Sequence, residues 1–95
     1  MACDKVGQVQ AKKAFKNANA AYQQQDYKKA SDLYAQTIAA DPNLNSAYFF
    51  LGNSLDNQYK ASKKGEAAND AFLTQAVENY QKAAEKLSAS ADPAD

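Results

Sequence analysis

The stretch from Asp26 to Pro42 constrains the fold of this chain more than any other part of the sequence. Large and small apolar residues recur in it at helical spacing, so Tyr27, Ala30, Tyr34 and Ile38 share one face. The carboxylate of Asp26 can cap the start of this helix, and Pro42 disfavours its continuation. A small residue in the centre of such a face lets a second helix approach closely. The stretch therefore predicts a capped helix packed against a neighbour.

The same pattern returns near the end of the chain. Apolar residues with this spacing are Ala76, Tyr80, Ala83 and Leu87, and residues 91–93 repeat the Ala-Asp-Pro of residues 40–42. The chain has 95 residues, of which only three are glycine and two are proline, and this composition favours helix. The sequence predicts one small all-α domain with an internal repeat.

Four helices are predicted, over residues 5 to about 24, 26–40, 46 to about 59, and 71–87. The first two are joined so tightly that they must form an antiparallel hairpin. Capping side chains for the third helix are expected within 43–46, and Asp70 is expected to cap the fourth. Residues 60–69 carry no apolar stripe and are interpreted as a polar insertion that bends near Gly65.

These residues resemble two consecutive tetratricopeptide repeats, each a helical hairpin of 34 residues in the standard form. In the first helix of a repeat, Leu51 and Gly52 match the pattern, and Tyr27 matches the residue that starts the second helix. Along the second helix the matches are Ala30, Tyr34 and Thr37 in repeat one, and Ala76, Tyr80 and Ala83 in repeat two. The terminal prolines match at Pro42 and Pro93. Asn17 departs from the pattern, because it stands where Leu51 stands in the second repeat. The separation of Pro42 and Pro93 also exceeds one standard repeat, as in the long second repeats of bacterial proteins of this family.

The resemblance implies two antiparallel helical hairpins, four helices in all, stacked as a short right-handed solenoid. The expected organisation is a single domain over 1–95, with repeat one at about 11–44 and repeat two at about 45–93. Repeat two would contain the insertion 60–69, and a frayed tail would occupy 88–95.

Composition argues against several classes of function. The formal net charge is zero, all basic residues are lysine, and there is no histidine. Nucleic-acid binding is therefore not expected, because arginine supplies the planar contacts to phosphate and guanine. No catalytic constellation, metal cluster or cofactor motif is present in the sequence, so an enzyme, a metal site and a cofactor are not expected.

Cys3 is the single cysteine, which excludes an internal disulfide. One interpretation makes Cys3 the lipidated first residue of a bacterial lipoprotein, at the periplasmic membrane or cell surface. The other makes it an incidental residue of a cytoplasmic protein. Association with a membrane is expected only under the first interpretation.

The resemblance implies a non-enzymatic scaffold that holds a peptide or a partner helix in a concave groove. Transferred residue by residue, the groove consists of Lys12, Phe15, Lys16, Asn19 and Tyr22 from the first repeat, and Phe49, Phe50, Asn53 and Asp56 from the second. The amides can bond a peptide backbone and the phenylalanines can anchor it. Alternatively, the phenylalanines only pack between helices and the asparagines are only solvated.

The second hypothesis is self-assembly, because two repeats without a solvating end helix leave apolar ends. The proposed stacking surfaces are Val6 and Val9 at one end, and Leu73, Val77, Tyr80 and Leu87 at the other. Head-to-tail stacking would give a homo-oligomer or a filament. A longer repeat array, or an insertion folded over the exposed edge, would explain the same residues.

Overall fold

The computed structural model describes residues 2–90 of the chain, with side chains from residue 5 to residue 87. Its α-helices are α1 (Ala2–Gln23), α2 (Tyr27–Ala40), α3 (Asn45–Asp56) and α4 (Ala67–Ser90). A single 3-10 turn, Ala61–Lys63, lies between α3 and α4. The predicted all-α class is confirmed. Residues 88–90, where the predicted frayed tail begins, belong instead to α4, and residues 91–95 of that tail lie outside the described residues.

The first two helices form an antiparallel hairpin, as predicted. Near the turn, the rings of Tyr22 and Tyr27 meet edge to face with centroids 5.6 Å apart. Further along, Phe15 of α1 contacts Tyr34 of α2 at 5.8 Å. At the far end, a Cβ added to Gly7 would lie 2.7 Å from the carbonyl oxygen of Ala40. Residues successively earlier in α1 therefore contact residues successively later in α2, so the two helices run antiparallel.

Each later helix also packs against the helix that precedes it. Tyr34 of α2 stacks on Phe50 of α3 with ring centroids 5.7 Å apart. Gly52 of α3 is the point of closest approach to α4, because an added Cβ would meet Tyr80 at 3.0 Å and the carbonyl oxygen of Ala76 at 3.1 Å. The result is a series of hairpins with antiparallel neighbours.

The core lies between the small-residue faces of the helices. Its buried members are Ala18, Ala21, Ala30, Tyr34, Leu51, Leu55 and Ala76, with Phe15, Tyr22, Leu33, Ile38, Phe50, Phe72 and Tyr80 packed against them. The alanines bury little apolar area by themselves, but they bring the helices close enough for the aromatic rings to interlock. Tyr34 carries the largest fully buried side chain.

The boundaries of α2 follow the sequence signals. Asp26 is its N-cap and accepts a hydrogen bond from the backbone N–H of Lys29 at 3.3 Å. The turn before it is short because Gln25 takes a positive φ of 62°, a conformation that reverses the chain within three residues. The helix ends at Ala40, and Asp41 serves as its C-cap. The predicted cap at Asp26 and the predicted end before Pro42 are confirmed.

The predicted side-chain cap of α3 and its predicted end are wrong. Its N-cap is Leu44, and no side chain from 43–46 caps it. Asn43 is instead part of the preceding turn, because its backbone N–H donates to the Asp41 carboxylate at 3.1 Å. The helix ends at Asp56 rather than near residue 59.

The insertion is also more ordered than its sequence indicates. Helix α4 begins at Ala67, so residues 67–69 are helical and Asp70 lies in the first turn instead of capping it. Both carboxylate oxygens of Asp70 accept from the Gly65 N–H at 3.1 Å. Gly65 has a φ of 100°, a conformation that favours glycine, which agrees with the predicted bend at this residue.

Candidate functional site

A cavity of about 430 Å³ opens along α1, and four of the nine predicted groove residues line it. We call it the α1 cavity, and its lining residues are Lys12, Phe15, Lys16, Asn19, Ala20, Gln23 and Leu44. All but Leu44 come from α1, and Leu44 precedes the first turn of α3. Lys12, Phe15, Lys16 and Asn19 meet because helical spacing of three or four residues places them on one face.

The α1 cavity combines an apolar floor with a basic rim. Phe15 is half-buried, and its ring contacts Tyr34 and Phe50 with centroids 5.8 Å and 6.3 Å away. Lys12 and Lys16 are exposed and lie one helical turn apart. Every charged side chain described on α1 is a lysine, so this helix contributes only positive charge to the cavity.

Asn19 supplies a hydrogen-bond donor to the same place. Its carbonyl oxygen accepts from the buried hydroxyl of Tyr34 at 2.5 Å. The amide nitrogen of Asn19 takes part in none of the hydrogen bonds of the described residues. An amide nitrogen has two N–H donors, so the nitrogen end of Asn19 is open to donate. It therefore suits an acceptor such as a carbonyl or carboxylate oxygen.

Asn53 and Asp56, two of the groove residues predicted for the second repeat, belong to an internal network of hydrogen bonds. The carbonyl oxygen of Asn53 accepts from Tyr22 at 2.5 Å and from Asn57 at 2.9 Å, and its amide nitrogen donates to the Tyr80 hydroxyl at 3.4 Å. That hydroxyl donates in turn to Asp56 at 3.4 Å. Asn53 thus differs from Asn19, because both of its polar ends are engaged within the chain.

The two adjacent phenylalanines have different environments. Phe50 is half-buried, and its ring stacks on Tyr34 with an interplanar angle of 16°. Phe49 remains 46% exposed, although its ring contacts Phe50 at 5.6 Å and Tyr80 at 5.7 Å. Phe50 therefore acts in packing, and Phe49 offers apolar surface to solvent.

Burial keeps two tyrosine hydroxyls protonated well above neutral pH. Desolvation, with a smaller contribution from Tyr22, raises the pKa of Tyr34 from 10.0 to about 12. Burial also raises the pKa of Tyr80, although its hydrogen bond with Asn53 acts in the opposite direction. Both hydroxyls therefore keep their protons at neutral pH: Tyr34 donates to the carbonyl oxygen of Asn19, and Tyr80 accepts from the Asn53 amide nitrogen while it donates to Asp56.

Most of the predicted stacking residues lie on the surface. Val6, Val9, Leu73, Val77 and Leu87 are exposed, with Val77 53% and Leu73 38% accessible. Tyr80 differs, since it is half-buried and packs against the core beside Gly52 of α3. Its ring lies between α3 and α4 because glycine at position 52 leaves room for it.

The sequence did not indicate every residue of the α1 cavity. Ala20, Gln23 and Leu44 line it without having been predicted. Ala20 follows Lys16 by one helical turn, and Gln23 follows Asn19 by one helical turn. This spacing could have identified both residues from the sequence. Leu44 is brought there only by the packing of α3 against the first hairpin.

A second cavity, of about 500 Å³, lies beside the insertion, and sequence reasoning did not predict it. It is lined by Tyr27, Asn57, Gln58, Lys60, Lys63, Glu66, Ala68, Asn69 and Phe72. Its three amide side chains form hydrogen bonds within the chain. Asn69 holds the insertion, because it bonds the backbone of Lys60 in both directions at 2.8 and 2.9 Å, whereas Asn57 and Gln58 bond residues of α2 and α3. Glu66 also offsets part of the positive charge of the two lysines. We call it the insertion cavity.

Within residues 2–90, no helix is long and apolar enough to span a bilayer. No group of three or more histidine, cysteine, aspartate or glutamate side chains that could hold a metal ion occurs among the described side chains. Cys3, the predicted lipidation residue, lies outside the part of the chain whose side chains are described.

In comparisons with known proteins, no protein-family model, no curated protein and no solved structure matches this chain.

Proposed function

We propose that this chain is a non-enzymatic protein–protein interaction module of the tetratricopeptide-repeat type, with two hairpins forming a short right-handed solenoid. Its order of helices, the small residues at its close contacts and its residue pattern support this assignment. The proposed ligand is an acidic peptide segment held in the α1 cavity. The observation that carries the proposal is the joint lining of that cavity by Lys12, Phe15, Lys16 and Asn19.

The chemistry of the lining selects the class of peptide. An apolar side chain of the peptide can rest on Phe15 and Leu44, where burial of apolar area stabilises the complex. Carboxylates on either side of it can pair with Lys12 and Lys16. The free amide nitrogen of Asn19 can donate to a peptide carbonyl oxygen. An Asp or Glu residue next to an apolar residue is therefore the expected minimum motif.

The expected affinity is modest and dependent on salt. Exposed lysine–carboxylate pairs contribute only about 0.2–1 kcal/mol each, and salt screens them over about 8–10 Å. Because the two charged residues of the lining, Lys12 and Lys16, are both positive, they also accelerate association of an acidic ligand. We expect binding to weaken steadily as the salt concentration rises.

Selection from a randomised library of twelve-residue peptides displayed on phage tests the proposal. The expected result is enrichment of peptides that combine acidic and apolar residues. A Lys12→Glu and Lys16→Glu double variant should bind the selected peptides at least about tenfold more weakly, which corresponds to about 1.4 kcal/mol.

The matched control is the Lys63→Glu and Lys64→Glu double variant, which makes the same change in net charge at the insertion. It should keep wild-type affinity, and circular dichroism should show that both double variants remain helical. Equal losses in the two double variants would contradict the assignment to the α1 cavity. Enrichment of basic peptides would contradict the proposed ligand class.

A further inference from the structure

Two amide residues that line the insertion cavity keep an acceptor that no residue of the chain uses. The amide nitrogen of Asn57 donates to the backbone and side-chain oxygens of Asn53, at 2.8 and 2.9 Å. The amide nitrogen of Gln58 donates to the hydroxyl of Ser31 at 2.9 Å and to the backbone oxygen of Tyr27 at 3.2 Å. The side-chain oxygens of Asn57 and Gln58 take part in none of the hydrogen bonds of the described residues. Both residues therefore offer a ligand an acceptor and no donor.

The charged groups of the insertion cavity do not pair with one another. Lys60, Lys63 and Glu66 all line it, and all three side chains are exposed. The one ion pair among the described side chains joins Lys28 to Asp32, so neither lysine of the cavity is paired with Glu66. The cavity thus presents two positive groups and one negative group, each of which can pair with a ligand.

Two aromatic rings supply the apolar part of the lining. Tyr27 begins α2 and Phe72 lies in the second turn of α4, and both are half-buried. The ring of Phe72 packs against the core, and the ring of Tyr27 is held edge to face by Tyr22 at 5.6 Å. With a volume of about 500 Å³, the cavity has the size of a small-molecule site.

We propose that the insertion cavity binds a free amino acid with a large apolar side chain, such as phenylalanine or leucine. Its ammonium group carries three N–H donors and needs acceptors around it. The side-chain oxygens of Asn57 and Gln58 and the carboxylate of Glu66 supply three acceptors, one of which is charged. A bond to a charged group is the stronger kind, so Glu66 contributes most to holding the ammonium.

The other residues of the lining fit the rest of such a molecule. Lys60 and Lys63 pair with its carboxylate, and the rings of Tyr27 and Phe72 pack against its side chain. An anion without an ammonium group would be repelled by Glu66, and a cation without a carboxylate would be repelled by the two lysines. The arrangement of charge therefore selects a ligand that carries both charges close together.

The inference goes beyond the proposed peptide binding, because the insertion cavity and the α1 cavity share no lining residue. The ligands also differ in kind. Residues within a peptide have neither a free ammonium nor a free carboxylate on their backbone, so the peptide proposed for the α1 cavity lacks the paired charges that this second site recognises. The two sites can be tested separately.

Two-dimensional ¹H–¹⁵N NMR titration with L-phenylalanine gives the first test. The backbone amides of Lys60, Lys63 and Glu66 should shift along one saturating curve, whereas the amides of α1 should not move. N-acetyl-L-phenylalanine lacks the ammonium group and L-phenylalanine amide lacks the carboxylate, so each should bind at least about tenfold more weakly. Glycine, which has no apolar side chain, should also bind more weakly.

Glu66→Gln gives the second test, because it removes the charge and keeps the size of the side chain. It should weaken the binding of L-phenylalanine at least about threefold, as expected for the loss of one exposed ion pair. It should also bind N-acetyl-L-phenylalanine more tightly than the wild type does, because the repulsion of the ligand carboxylate is gone. Glu78→Gln is the matched control, since Glu78 is exposed on α4 outside the lining, and it should keep wild-type affinity for both compounds. Circular dichroism should show that both variants remain helical.

Each alternative result overturns the inference. The absence of a saturable shift up to the solubility limit of L-phenylalanine would exclude the amino-acid site. Equal affinities for L-phenylalanine and its N-acetyl derivative would show that the ammonium group is not recognised. Equal losses in the Glu66 and Glu78 variants would place the site elsewhere. None of these results depends on peptide binding, which the Lys12 and Lys16 variants test separately.

Discussion

At the scale of single residues, two tyrosine–asparagine hydrogen bonds organise the aromatic core. Tyr34 donates to Asn19, and Tyr22 donates to Asn53, each at 2.5 Å. Each bond satisfies a hydroxyl that is shielded by aromatic rings and orients an amide near the surface. The difference between the two asparagines lies in the amide nitrogen, which is engaged in Asn53 and open in Asn19. This single difference separates a structural amide from one that can bind a ligand.

Alkaline pH should unfold the protein through Tyr34. The folded state holds the proton of Tyr34 up to a pKa of about 12, whereas the unfolded chain releases it near 10.0. Stability is therefore fully present below pH 10 and should fall between pH 10 and 12, by up to about 1.4 kcal/mol per pH unit. Tyr80 adds to the loss in the same direction, since its pKa is also raised.

Tyr34→Phe should reduce this pH dependence. It removes the titrating hydroxyl and, at neutral pH, should cost about 1 kcal/mol through the lost hydrogen bond to Asn19. Urea unfolding at several pH values from 7 to 11.5 measures both effects. An unchanged loss of stability in the variant above pH 10 would contradict the role of Tyr34.

Gly52 should be intolerant of a larger side chain. A branched side chain at this position would collide with the ring of Tyr80 and the backbone of Ala76, which lie 3.0 and 3.1 Å from an ideal Cβ. Gly52→Val should therefore cost about 2 kcal/mol. Ala35→Val, at an exposed position of α2, is the control and should cost about 0.5 kcal/mol. Equal urea midpoints for the two variants would show that α3 and α4 are not in close contact.

At the scale of elements, the insertion is a structured connection held by two side chains of α4. Asn69 is buried and bonds both backbone groups of Lys60, as a neighbouring strand would. The carboxylate of Asp70 accepts a hydrogen bond from the backbone N–H of Gly65. These bonds close a loop of residues 60–69 against the start of α4.

Asn69→Ala should loosen the insertion more than the hairpins. Loss of both bonds leaves the backbone of Lys60 unsatisfied, which costs about 1–3 kcal/mol. Amide hydrogen exchange should become faster at residues 60–66. The amides of α2 should change their exchange rate only as far as the stability of the whole protein changes. Asn79→Ala is the control, because the Asn79 amide bonds only the backbone of Gln75 one turn before it. Uniform acceleration across all helices would contradict a local role for Asn69.

The elements also show how much of the fold can be derived from sequence. Helix α2 was predicted almost to the residue because its cap at Asp26, its apolar face and the break before Pro42 are local signals. The insertion was not, because Asn69 and Asp70 act on Lys60 and Gly65 across a turn. For the site, helical spacing brings Lys12, Phe15, Lys16 and Asn19 together, which the sequence predicted. It could not show that tertiary contacts occupy Asn53 and leave Asn19 with a free donor.

At the scale of the whole molecule, the polar groups divide the surface into two faces. The side of α1 that contains the cavity carries Lys12 and Lys16, and α4 exposes the apolar side chains of Leu73 and Val77. The formal net charge of zero conceals this separation.

The α1 cavity is the central claim, and two-dimensional ¹H–¹⁵N NMR titration with the strongest peptide from the phage selection tests it most directly. We predict that the backbone amides of Lys12, Lys16 and Asn19 shift with one saturating curve, and that added salt weakens the binding. Amides of the insertion cavity, such as those of Lys60 and Lys63, should remain unchanged. Shifts confined to the insertion or to α4, with the amides of α1 unmoved, would contradict the account.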